Sequence, residues 1–143
     1  MQKRNSDKLQ YAIRSLENAL KYSQSGEFRV VGIEFKSVLI STVAQNFHLT
    51  FAVCQQMIAR KLADILGSEV VDSLSSEEIF QRAAKEGVIT PLDRWLEYLD
   101  CDSAPANNGM LRAFEKAPVF LEDAGELLQT CATRSQNERR RAA

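Results

Sequence analysis

The run VLISTVAQNFHLTFAVCQQMIARKLADIL, Val38–Leu66, decides the fold of this 143-residue chain. Ile40, Val43, Phe47, Phe51, Cys54, Ile58, Leu62 and Ile65 recur at intervals of three and four, the signature of a helix with one buried face. Gly67 stands where a C-terminal cap belongs. Just upstream, Val30, Val31, Ile33 and Phe35 alternate as a short strand would. No second strand-like segment exists to pair with them, so a helical turn or helix start is the better reading.

On the N-terminal side, Leu9, Ile13, Leu16 and Leu20 place one apolar stripe on a helix from Asp7 to about Gln24. Ser6 or Asp7 can cap its start, and Ser25-Gly26 can end it. On the C-terminal side, Ser75-Ser76-Glu77-Glu78 offers a capping box, opening a helix that carries Ile79, Phe80, Ala83 and Ala84 to Gly87. Thr90-Pro91 restarts a short helix with proline at its first position, presenting Leu92, Trp95, Leu96 and Leu99. Cys101 to Gly109 reads as a loop. A last helical region runs from Met110 to about Thr133, with a kink or restart expected near Ala117 because Pro118 lies inside it.

These elements predict an all-α fold: an antiparallel four-helix bundle with short additional helices between the second and last long ones. One domain is expected over 1–143, with flexible tails at 1–6 and 134–143. A chain of this length buries enough surface to need neither disulfides nor metals.

The formal net charge is −1, which argues against nucleic acid as the main partner, since phosphate binding calls for a basic surface. Arg139-Arg140-Arg141 is short enough to be a solvated tail. Cys54, Cys101 and Cys131 form no Cys-x-x-Cys pair and read as buried thiols in a reducing compartment. No apolar signal core and no uninterrupted run of roughly 20 apolar residues is found, so a cytoplasmic location without a membrane span is expected.

The search for chemistry returns little. His48 is the sole histidine, which excludes a two-histidine metal site. No Gly-Lys-Ser/Thr phosphate loop occurs, and the carboxylates fall mostly at helix starts and on polar faces. No catalytic residue, metal site or cofactor is therefore assigned. A polar strip on the core helix holds Gln45, His48, Gln55, Gln56 and Arg60, either a solvent face or a partly polar ligand groove. Trp95 either fills the core or anchors a partner.

The segments Gln45–Phe51, Glu78–Ile89 with Trp95-Leu96-Glu97-Tyr98-Leu99, and Glu115–Leu121 together resemble the substrate-binding subunit of minimal nucleotidyltransferases, within the HEPN-like helical group. That resemblance implies a non-catalytic bundle that self-associates, as a dimer, and docks a small nucleotidyltransferase encoded separately. The partner would bring the metal-binding carboxylates and the phosphate loop, and a nucleotide is a compatible ligand. Leu9, Ile13, Leu16 and Leu20, with any exposed side of Trp95, are the expected docking surface. Ribonuclease members of the group carry an Arg followed by a His before the last helix. The interval Asp100–Gly109 holds neither, so no catalytic role is carried over. The alternatives are a degenerate ribonuclease toxin relative, as in toxin–antitoxin pairs, and a purely structural dimerisation module.

Overall fold

The computed structural model describes residues 2–24, 33–104 and 106–142. The described residues form six helices: α1 Gln2–Gln24, α2 Ile33–Leu66, α3 Ser68–Asp72, α4 Ser76–Lys85, α5 Leu92–Ser103 and α6 Ala106–Ala142. No strand occurs among them, and the Ile33-Phe35 stretch opens α2. Val30 and Val31 lie outside the described residues.

Side-chain contacts give the directions. Thr50 donates its hydroxyl to the Asn46 carbonyl at 2.7 Å and lies 3.3 Å from the Ala12 carbonyl, which sets α1 alongside α2. Phe47 meets Phe120 with ring centroids 4.6 Å apart, and Cys54 interacts with Cys131, so α2 and α6 run parallel through the middle. Arg94 bonds Asp123, Glu97 bonds Lys116 and Asp100 bonds Arg112, which makes α5 antiparallel to α6. The α1, α2, α5 and α6 order is up-down-up-down, as the apolar periodicity predicts, with α3 and α4 as the short additions.

The core is aromatic. Phe47, Phe51, Phe80, Trp95, Tyr98 and Phe120 are each 1% exposed or less and pack largely edge-to-face. Helix α2 is long and apolar enough, over Lys36–Leu66, to be weighed as a membrane span on composition alone. Its Phe47, Phe51, Cys54, Ile58 and Leu62 side is instead spent on this core.

Helix ends follow local chemistry. Ser75 and Glu78 make both bonds of the capping box, at 3.1 and 3.2 Å. Helix α4 ends at Gly87, whose φ of +77° suits glycine alone. There Val88 N–H reaches the Ala83 carbonyl and Gly87 N–H the Ala84 carbonyl, closing a Schellman turn. Ser75→Ala is expected to cost about 1 kcal/mol of stability, measured by denaturant unfolding at neutral pH. The Ser75 amide and hydroxyl hold the Glu78 carboxyl below its ordinary value. A lowered carboxylate contributes stability that is present above its unfolded-state pKa and lost as pH falls below it. The Ser75→Ala penalty should therefore shrink in acid.

Several boundaries differ from the expectations. Helix α1 begins at Gln2 and helix α6 extends to Ala142, beyond the helix bounds that the apolar periodicity predicts. Cys101–Ser103 belongs to α5 and Ala106–Gly109 to α6, so the expected loop is much shorter. Glycine at 109 permits this: a Cβ there would sit 3.3 Å from the carbonyls of Cys101 and Ala104. Pro91 is the extended N-cap of α5 rather than its first helical residue. Helix α6 is continuous through Pro118, which lies on the solvent side where water can take the carbonyl left without an amide partner.

Candidate functional site

Chemistry or shape is concentrated on two surfaces. The first is the seam between α5 and α6, continued onto α2. Helical spacing on α5 brings Arg94, Glu97 and Asp100 to the side that faces α6. Lys116–Glu97 at 3.0 Å and Arg112–Asp100 at 2.9 Å are half-exposed ion pairs, of small energetic weight but useful for register. At the inner end, Asp123 is 2% exposed. It accepts Arg94 Nε at 2.9 Å and Arg94 Nη2 at 2.8 Å, together with the Tyr98 hydroxyl. Burial, and then the bond to Asp123, push the Tyr98 phenol upward, so it stays protonated and donates.

At the outer end, His48 Nδ1 lies 2.8 Å from Asp102 Oδ1, with both side chains about one-third exposed. A carboxylate only accepts, so Nδ1 carries the proton of that bond. The sequence does not reveal this contact, since 54 residues separate the two and the composition around Asp102 reads as a loop. Among the described residues no group of three or more His, Cys, Asp or Glu is placed to hold a metal ion. Burial raises the thiols of Cys54 and Cys101.

The polar strip divides. Gln45, Gln56 and Arg60 face solvent, while His48 is half-buried toward α5 and Gln55, seven residues on, shares its side. None of the five lines the groove between α1 and α2.

The second surface is the outer face of α1 and α2. A groove of about 490 Å³ runs between them, walled by Asp7, Lys8, Tyr11, Ala12, Ser15, Asn46, Leu49, Thr50 and Val53. Tyr11 is 75% exposed and Leu49 68%, large apolar groups left in water. Tyr22 and Val38, also exposed, lie three full turns from Tyr11 and Leu49 respectively. The antiparallel register puts them at the other end of the same face.

This corrects the expected docking stripe. Leu9, Leu16 and Leu20 are 0%, 0% and 6% exposed, with Ile13 packed against the same core. A stripe repeating at three and four is what α1 must bury to join the bundle, so it is spent internally. Trp95, at 1% exposure, fills the core between Phe80 and Tyr98 and anchors nothing outside. The signal for the exposed face was present. Tyr11 is out of phase with the Leu9 stripe, and Leu49 interrupts the polar side of α2.

The architecture defines an all-α bundle in which two long central helices are flanked by α1 on one side and α4–α5 on the other. A solved structure from Haemophilus influenzae has this fold, with a TM-score of 0.78 and 20% sequence identity over 89% of this chain and 98% of that one. That structure is described as revealing the fold of a substrate-binding domain of a nucleotidyltransferase. The all-α fold expected from the resemblance is the fold found. No family model and no curated protein matches the chain.

Proposed function

We propose that this chain is a non-catalytic substrate-binding subunit that associates with a separately encoded small nucleotidyltransferase in the cytoplasm. The supporting observation is its likeness in fold to a nucleotidyltransferase substrate-binding domain over nearly the whole of that chain. The outer face of α1 and α2, with Tyr11 and Leu49, is the association surface, through which the chain pairs with itself or with the enzyme. His48 and Gln55, on the α5 side of α2, form the ligand side, and a nucleotide or the acceptor substrate is its ligand.

The test is co-purification with the product of the neighbouring reading frame, followed by affinity measurement. Tyr11→Asp combined with Leu49→Glu is expected to weaken association about tenfold or more, because tyrosine is enriched among interface hot spots and both changes put a charge into the contact. Stability of the isolated chain should change by less than about 0.5 kcal/mol per substitution, as neither side chain is buried. Unaltered association in the double variant would remove this face from the reading. A native pull-down without any nucleotidyltransferase would remove the partner.

The His48–Asp102 pair favours a second reading, a ribonuclease relative. RNA cleavage by the purified chain that disappears in His48→Ala would establish it over the first. A structural dimerisation module, in contrast, would show no change in Tm with any nucleotide, since a ligand selective for the native state stabilises it.

A further inference from the structure

A groove of about 570 Å³ lies between α4 and α5, on the flank of the bundle away from α1. Leu96 and Leu99 give it an apolar floor, and Glu77, Asp93, Glu97 and Asp100 stand around them. Glu97 and Asp100 are held by Lys116 and Arg112, whereas Glu77 and Asp93 make no ion pair among the described residues. The whole flank is acidic: Ser68–Ser103 holds nine Asp and Glu against three Lys and Arg, in a chain whose net charge is −1. An apolar floor inside a rim of carboxylates suits a cationic segment with long aliphatic stems. The stems cover the leucines and the charged heads reach the rim.

The chain carries such a segment itself, Arg139-Arg140-Arg141, its densest run of one charge. Its own groove is out of reach. Helix α5 lies antiparallel to α6, with Arg94 at Asp123 and Glu97 at Lys116, so the groove runs back from Asp123 toward the start of α6. Arg139 stands 16 residues beyond Asp123 in the same helix, about 24 Å along its axis in the other direction. We propose that the groove between α4 and α5 receives the Arg139–Arg141 run of a second copy of this chain. The exchange is reciprocal, each copy giving its tail and taking the other's, as a twofold contact requires. It uses neither Tyr11 nor Leu49, so it is separate from the α1–α2 face.

Sedimentation velocity of the full chain tests this, in a Tyr11→Asp, Leu49→Glu background that removes the α1–α2 face. Self-association is expected there, and should weaken about tenfold or more between roughly 0.05 and 0.5 M salt, because exposed charges are screened. Glu77→Lys with Asp93→Lys should abolish it, and so should Arg139→Glu, Arg140→Glu and Arg141→Glu together, since like charges then meet across the contact. Glu77 and Asp93 also sit in the first turns of α4 and α5, where a carboxylate stabilises the helix end. Mixing separates the two effects. The groove-reversed and tail-reversed chains, each monomeric alone, should associate with one another, because both contacts then join opposite charges. A background chain that stays monomeric at low salt overturns the proposal. So does a mixture of the two reversed chains that fails to associate, or either reversed chain that self-associates like its parent.

Discussion

Phe120→Ala is expected to destabilise the chain by about 4 kcal/mol, the middle of the range for removing a buried aromatic ring. Phe120 is 0% exposed and its ring meets those of Phe47, Phe51, Trp95 and Tyr98. Those four come from α2 and α5, so the lost ring leaves a void where α2, α5 and α6 meet. Neighbours of that size cannot all collapse inward without leaving their rotamers, and the cavity cost adds to the lost transfer energy. Domains of this kind have only about 5–15 kcal/mol in total, so a large share of the stability would go. Urea unfolding at neutral pH measures it. A loss below about 1.5 kcal/mol would mean that Phe120 is not at the centre of the bundle.

Asp123→Ala should cost about 2–3 kcal/mol by the same measurement, through a different mechanism. The substitution leaves the Tyr98 hydroxyl, on a residue 1% exposed, without an acceptor, and that desolvated donor carries most of the penalty. Arg94 contributes little, since its side chain is 43% exposed and can turn its guanidinium to water. The two origins are separable. Tyr98→Phe alone should cost about 1 kcal/mol, the net worth of an ordinary hydrogen bond. In the Asp123→Ala background the same change should cost nothing or restore stability, because it removes the orphaned hydroxyl. Strict additivity of the two substitutions would show that the carboxylate and phenol do not act together.

The site itself was less readable than the core. His48, Gln55 and their strip were visible as polar residues at helical spacing on an apolar helix. Whether they faced solvent or a neighbour depended on Asp102, which comes from an element that the Ser103–Gly109 composition disguised as loop. Asp123 looked like one carboxylate among many on α6. Only the approach of α5 turned it into a buried acceptor. The Leu9, Ile13, Leu16 and Leu20 stripe carried the opposite lesson, since an apolar row on a helix marks what is buried without saying in which molecule.

Periodicity along the chain was enough to settle the helices, their amphipathic faces, the capping box at Ser75 and the glycine stop at Gly87, because each depends on neighbours within about one turn. The tertiary structure alone decided that Trp95 is interior, that Tyr11 and Leu49 share an open groove, and that His48 meets Asp102. Those outcomes depend on which faces of distant helices meet. A helix's own sequence records how much of its surface must leave water, and the packing of its neighbours decides which residues are left outside.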